Sequence, residues 1–144
     1  MTHPDNKIMT EAIKFGLKNS TVGVIITQGD NIIIKTGGKI FSKEHDATGH
    51  SEIVAIRKAC KKLATHELKD CWLYTTYEPC PMCMSAICWA KIKGVVYAAS
   101  HKDRNKIWKW EILIPAKDII KKSEHKPIII EEYMRQEAKL IIDN

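Results

Sequence analysis

A chain of 144 residues with 44% apolar content and a formal net charge of +6 has enough material for one domain with its own core. No apolar run approaches the roughly 20 residues that a membrane-spanning helix needs, and the opening MTHPDNK lacks the apolar stretch of a secretion signal, so a soluble, cytoplasmic protein is expected. The positive balance admits phosphates or nucleic acid as partners and equally serves solubility.

Residues 5–19 read as a helix. Asp5 is its N-cap, and Ile8, Met9, Ala12, Ile13, Phe15 and Gly16 recur on one face. Val22 to Thr27 is β-branched and apolar, the turn residues Gln28-Gly29-Asp30-Asn31 follow, and Ile32-Ile33-Ile34 starts a second strand, so the two should pair antiparallel. A polar loop runs from Lys39 to Thr48. Residues 50–64 read as a second helix, with Ile53, Ile56, Cys60 and Leu63 inward and the cations Arg57, Lys58, Lys61 and Lys62 outward. That basic face suits either a phosphate backbone or plain solvent. Leu73 to Thr76 is a third strand, Pro81 to Lys91 a third helix, and Gly94 to Ala99 a fourth strand. The two strand–helix–strand connections predict parallel neighbours. A loop from His101 to Trp110, a short helix from Pro115 to Lys122, a strand from Pro127 to Ile130 and a helix from Glu131 to Asp143 complete the chain. The last helix should turn Tyr133, Met134, Ala138 and Ile141 or Ile142 inward. The expected fold class is α/β: a mainly parallel, mixed five-stranded sheet sandwiched by helices.

Chemistry concentrates in Pro79-Cys80-Pro81-Met82-Cys83. Two cysteines three apart at a helix start can grip zinc, but a redox dithiol or two unrelated structural cysteines have the same spacing. Five cysteines, an odd count, argue for reduced thiols in either case. Upstream, His50-Ser51-Glu52 offers a third ligand in His50 and a carboxylate two residues on. Three protein ligands leave one tetrahedral position open to water, as in catalytic zinc sites, and zinc lowers the pKa of such a water to about 7. Both candidate segments open helices, whose N-termini favour anions. A hydroxide source, a nearby proton carrier and no redox metal together suggest hydrolysis at an electrophilic carbon bearing an amine.

His-x-Glu followed by Pro-Cys-x-x-Cys is the zinc deaminase signature. The chain resembles the cytidine deaminase superfamily, and within it the branch holding bacterial guanine deaminases and tRNA adenosine deaminases. HDATGHSEIVAIRKAC resembles that branch's metal helix, and LYTTYEPCPMCMSAICWAKIKGVVYAAS resembles its strand, second metal helix and next strand. The likeness covers residues 8–100 well and the C-terminal third loosely.

The resemblance implies one zinc-dependent deaminase domain over residues 1–144, a cytidine deaminase-like α/β/α fold, Zn2+ as cofactor, and a homodimer. It implies His50, Cys80 and Cys83 as zinc ligands and Glu52 as the catalytic acid and base. The backbone N–H groups of Ser51 and Cys80 match positions that steady the reacting oxygen. Glu78 matches a position near the substrate amine, and Trp89 an aromatic that closes over the site in guanine deaminases. Cys60, Cys71 and Cys88 match no ligand and read as small core residues. The chain departs from the pattern in three places. Lys39 stands where an asparagine usually hydrogen-bonds the base, with Gly38 the nearest alternative. The loop from His101 to Trp110 is short and lacks an acidic segment. Thr21-Val22-Gly23-Val24 replaces a proline-containing lead-in to the first strand.

The activity implied is zinc-dependent hydrolytic deamination, releasing ammonia from the cyclic amidine of a free nucleobase or nucleoside, a guanine-like purine first. The alternatives are tRNA adenosine-to-inosine deamination, cytosine or cytidine deamination, and a zinc- or base-binding relative without turnover. The last helix carries Glu131, Glu132, Glu137 and Asp143, which suits an RNA stem poorly.

Overall fold

Asp5 starts the first helix by accepting the Lys7 N–H at 2.8 Å, and Ser20, in the left-handed region at φ 50°, ends it. In the computed structural model, which describes residues 2–38, 44–104 and 111–143, this helix is α1 (Asn6–Asn19). It is followed by α2 (Ser51–Leu63), α3 (Pro81–Trp89), α4 (Ala116–Lys122) and α5 (Arg135–Asp143). The strands β1 (Val24–Gln28), β2 (Asn31–Thr36), β3 (Cys71–Tyr77), β4 (Gly94–Ala99) and β5 (Ile128–Ile130) form one sheet in the order β2-β1-β3-β4-β5.

The sheet is mixed, as expected, with its pairings divided evenly. β1 is antiparallel to β2 and β3, while β3 and β4, and β4 and β5, are parallel. One expectation needs correction: β2 and β3 are joined through α2 but are not neighbours, because β1 lies between them. Burial gives the reason. Val24, Ile25 and Ile26 of β1 are wholly buried, whereas Asn31 and Ile32 of β2 are exposed, so β2 can be covered only as an edge. β3 and β4 are buried along their whole length, which suits a pair covered by helices on both sides.

Two apolar clusters sandwich the sheet. On one face α1 and α5 bring Ile8, Met9, Ala12, Ile13, Ala138 and Ile142 onto Ile25, Tyr74 and Val96. On the other, α2, α3 and α4 bring Ala55, Ala59, Met84, Ile87 and Ile120 onto Ile26, Leu73 and Val95. Cys71 and Cys88 belong to this second cluster, and Cys60 packs against it.

α2 is rotated from the expected stripe. Its buried residues are Ser51, Glu52, Val54, Ala55, Ile56 and Ala59, while Ile53, Cys60 and Leu63 are only partly covered. The small side chains of Ala55 and Ala59 let the helix lie close to the sheet, and its first turn carries two polar residues inside. The last helix begins at Arg135 rather than Glu131, because Glu132 and Met134 take positive φ values of 55° and 57° and turn the chain first. Tyr133 and Met134 pack on the core from that turn.

The unusual lead-in to β1 is explained by packing. Gly23 donates its N–H to Thr76 Oγ1 at 3.0 Å, and a Cβ at Gly23 would overlap the Ala12 carbonyl of α1. Backbone rather than a flexible side chain fills that space. Gly23→Ala is therefore expected to destabilise the fold by about 3 kcal/mol, the upper part of the range for overpacking, read as a lower urea midpoint with an unchanged m-value.

Candidate metal centre and active site

His50 is the N-cap residue of α2 and Cys80 that of α3, and neither uses its side chain as a cap. Pro81 occupies the first turn of α3, where its missing N–H is not needed. The two helix starts therefore meet with their ligand atoms free. His50 Nδ1 lies 3.6 Å from Cys80 Sγ and 3.5 Å from Cys83 Sγ, and the three ligand atoms are all within 4.8 Å of one another. Tetrahedral zinc with ordinary Zn–N and Zn–S bonds of about 2.0–2.1 and 2.3 Å separates nitrogen from sulfur by about 3.6 Å. The observed distances match, and one imidazole with two thiols is a donor set that selects zinc.

Electrostatics prepare the group for a cation. The Cys80 thiol is pushed down to about 4, first by a hydrogen bond from Cys83 and then by His50. Cys83 is pushed up, because it holds the proton of that hydrogen bond and is buried. The hydrogen bond to Cys80 raises His50.

Glu52, 5% exposed, lies beside this group. Thr75 Oγ1 donates to Glu52 Oε1 at 3.2 Å and to the Tyr77 carbonyl at 3.0 Å. Burial pushes the Glu52 carboxyl up to about 7, against hydrogen bonds from Cys83 and Thr75 that favour its charged form. A carboxyl at that value can hold or release a proton near neutral pH.

The remaining expected residues are distributed differently. The Ser51 hydroxyl donates to the Val22 carbonyl at 2.6 Å, so this side chain fastens the start of α2 to the lead-in of β1. Gly38 packs against the same helix start: a Cβ there would lie 2.9 Å from the Gly49 carbonyl and 3.3 Å from the Ser51 nitrogen. Lys39, the next residue, lies outside the described residues. Glu78 is buried, and its two oxygens accept the His101 N–H at 3.1 Å and the Ala116 N–H at 2.9 Å, tying the end of β3 to α4. Trp89 is not brought to the group: it is 82% exposed at the far end of α3, nine residues or about 13 Å along the helix from Cys80. It borders a groove of about 440 Å³ with Cys88, Lys91, Ile119, Lys122 and His125.

The structure adds a residue that spacing did not reveal. Glu111 Oε2 accepts the Tyr77 hydroxyl at 2.7 Å, burial raises its carboxyl, and its charge reaches both His101 and Cys80. Glu111 lies in irregular chain far from either motif, so neither periodicity nor ligand spacing marks it.

With this geometry the comparisons are unambiguous at the level of family. The profile of the cytidine and deoxycytidylate deaminase zinc-binding region matches residues 3–99. The chain belongs to this zinc-binding deaminase family. A guanine deaminase of Bacillus subtilis is 46% identical over 93 residues, 65% of this chain and 58% of that protein. A tRNA-specific adenosine deaminase of Buchnera aphidicola is 34% identical over 125 residues, 85% of this chain and 78% of that one. A solved guanine deaminase from Nitrosomonas europaea superposes with a TM-score of 0.80 at 20% identity, covering 94% of this chain and 80% of its own, which establishes the shared fold. Zinc is the family's metal, and His50, Cys80 and Cys83 are the residues fit to hold it.

Metal analysis of purified variants checks the ligand set. Wild type is expected to carry about one zinc per chain, and Cys80→Ala and Cys83→Ala to lose it. Cys88→Ala, which alters only the core cluster, should keep full zinc.

Proposed function

We propose that the protein hydrolytically deaminates a free purine base or its nucleoside, with a guanine-like ring as the leading substrate. The observation that carries this reading is the buried Glu52 carboxyl, held by Thr75 beside the His50, Cys80 and Cys83 group. Bound there, zinc supplies an acidified water as the hydrolytic nucleophile. Glu52 takes one proton from the attacking water and gives it to the ring nitrogen, then takes the remaining proton of the hydroxyl added to the carbon and gives it to the amine as ammonia departs; its raised pKa suits both directions of transfer. The N–H groups at the starts of α2 and α3, those of Ser51 and Cys80 among them, favour negative charge as it develops. Glu111, whose charge reaches Cys80, and Glu78, two residues before Cys80, give the site an acidic side, where an amine is best received.

Residues 1–144 act as one deaminase domain in the cytoplasm, consistent with five free cysteines. Among the described residues no helix is long and apolar enough to cross a membrane. We assign Trp89 to an interface between two copies, since its indole is 82% exposed at the edge of a groove of about 440 Å³ that a second copy can fill. In that homodimer it serves the neighbour's site rather than its own.

A second reading, tRNA adenosine deamination, is favoured by the length of the match to the Buchnera enzyme. Against it, Arg57 of α2 is paired with Asp46, and the C-terminal segment carries Glu131, Glu132, Glu137 and Asp143. Cytosine or cytidine is a further candidate within the same chemistry, and the presence of Glu52 argues against a silent binding protein.

Ammonia release from guanine, guanosine, adenine, adenosine, cytosine, cytidine and an adenosine-bearing anticodon stem-loop separates these readings. Guanine or guanosine should give the highest kcat/KM. A preference for the stem-loop would move the assignment to RNA, and no release from any of them would remove it. Glu52→Ala should keep zinc and fold while turnover drops by at least about 10²–10⁴-fold; activity within tenfold of wild type would exclude Glu52 from proton transfer.

A further inference from the structure

Arg135, the first residue of α5, reaches across to Asp103. Its Nε and Nη2 donate to the two Asp103 oxygens, both at 2.8 Å. The Asp103 side chain is 3% exposed, so this is a two-pronged pair to a covered carboxylate rather than a loose surface contact. Glu132 approaches Arg135 Nη1 to 3.5 Å, and Lys139 Nζ lies 3.9 Å from Asp103 Oδ1.

Asp103 also shapes the turn it belongs to. Its Oδ2 accepts the Ser100 N–H at 2.9 Å, and the Ser100 hydroxyl accepts the Lys102 N–H at 3.1 Å. This reciprocal capping closes the 3-10 turn His101–Asp103 directly after β4. His101 stands inside it. Its N–H donates to Glu78 Oε1, its Nδ1 lies 3.6 Å from Glu78 Oε2, and its ring lies 5.6 Å from that of Tyr77, which in turn holds Glu111. His101 Nε2 is buried and has no hydrogen-bond partner among the described residues. A continuous set of contacts thus runs from α5, through the turn, to Glu78, two residues before Cys80, and by way of Tyr77 to Glu111.

We propose that Arg135 is a positioning residue: through Asp103 it fixes His101, and with it the Glu78 and Glu111 side of the site, against the substrate. The inference rests on the deaminase reading for its effect on turnover, but not for the placement of the ring. Arg135 touches neither the metal ligands nor Glu52. Its loss loosens how the substrate is held in ground state and transition state alike, which raises KM more than it lowers kcat.

The test uses the full zinc-loaded chain with Arg135→Met, Arg135→Lys, Asp103→Asn and the Arg135→Met/Asp103→Asn pair, with Lys69→Ala as an exposed-charge control. Zinc content should stay constant in all. KM for the best base should rise about tenfold or more in Arg135→Met, in line with the cost of misplacing a substrate-positioning group. Arg135→Lys should recover only part of this, because it lacks the fork, and the double variant should be no worse than the worse single. Separately from turnover, imidazole nitrogen NMR should show the His101 signals moving in Arg135→Met while those of His66 and His125 stay. Unchanged KM with unchanged His101 signals would overturn the proposal, as would a rise in KM that Arg135→Lys reproduces in full. If wild type releases no ammonia from any base, the deaminase reading has failed, and the His101 signals alone decide whether Arg135 positions the ring.

Discussion

Two helix starts meeting at the end of β3 are the constraint on which the rest of the site depends. His50 and Cys80 each occupy the N-cap of a helix without using the side chain as a cap, and their ligand atoms come within 3.6 Å. Such a meeting concentrates unpaired N–H groups and positive dipole ends in one place. Thiolates and a developing oxyanion are favoured there, and a dication binds through the anions it brings together. The sheet makes the meeting reproducible. Packing of Ala55, Ala59, Met84 and Ile87 against β1, β3 and β4 sets α2 and α3 at fixed heights, so the spacing of a few ligand atoms is inherited from a large apolar contact.

The same geometry imposes a stability cost. Glu52 and Glu78 are both buried, and burial of a carboxyl is unfavourable unless it is hydrogen-bonded or neutral. The chain resolves the two cases differently. Glu78 is satisfied by two backbone N–H groups and acts as a brace between β3, the turn after β4, and α4. Glu52 is met by side chains alone, the Thr75 hydroxyl at 3.2 Å and the Cys83 thiol, and burial shifts its pKa to about 7. Glu78 is thereby fixed in place by backbone, while the surroundings of Glu52 leave its carboxyl responsive to protons.

Much of the centre was legible in the sequence because it is local. His50-Ser51-Glu52 and Pro79-Cys80-Pro81-Met82-Cys83 each lie within one helix start, and the Asp5 cap and the β-branched runs mark α1, β3 and β4 just as directly. Features set by tertiary contact were not legible. The insertion of β1 between β2 and β3 follows from which hairpin strand is more completely covered. The rotation of α2 follows from small residues that no hydrophobic stripe identifies. Glu111 joins the site through Tyr77 from irregular chain, and Glu78 turns out to be held by backbone groups far along the sequence. Trp89, matched by resemblance to an aromatic over the site, lies at the other end of α3, 82% exposed at the edge of a groove.

The central claim is that His50, Cys80 and Cys83 hold one zinc with a position left open. X-ray absorption at the zinc edge of the purified protein tests it most directly. The account predicts about four ligands, two sulfurs near 2.3 Å and the remainder nitrogen or oxygen near 2.0–2.1 Å. A shell of four sulfurs, or one of nitrogen and oxygen alone, would contradict it.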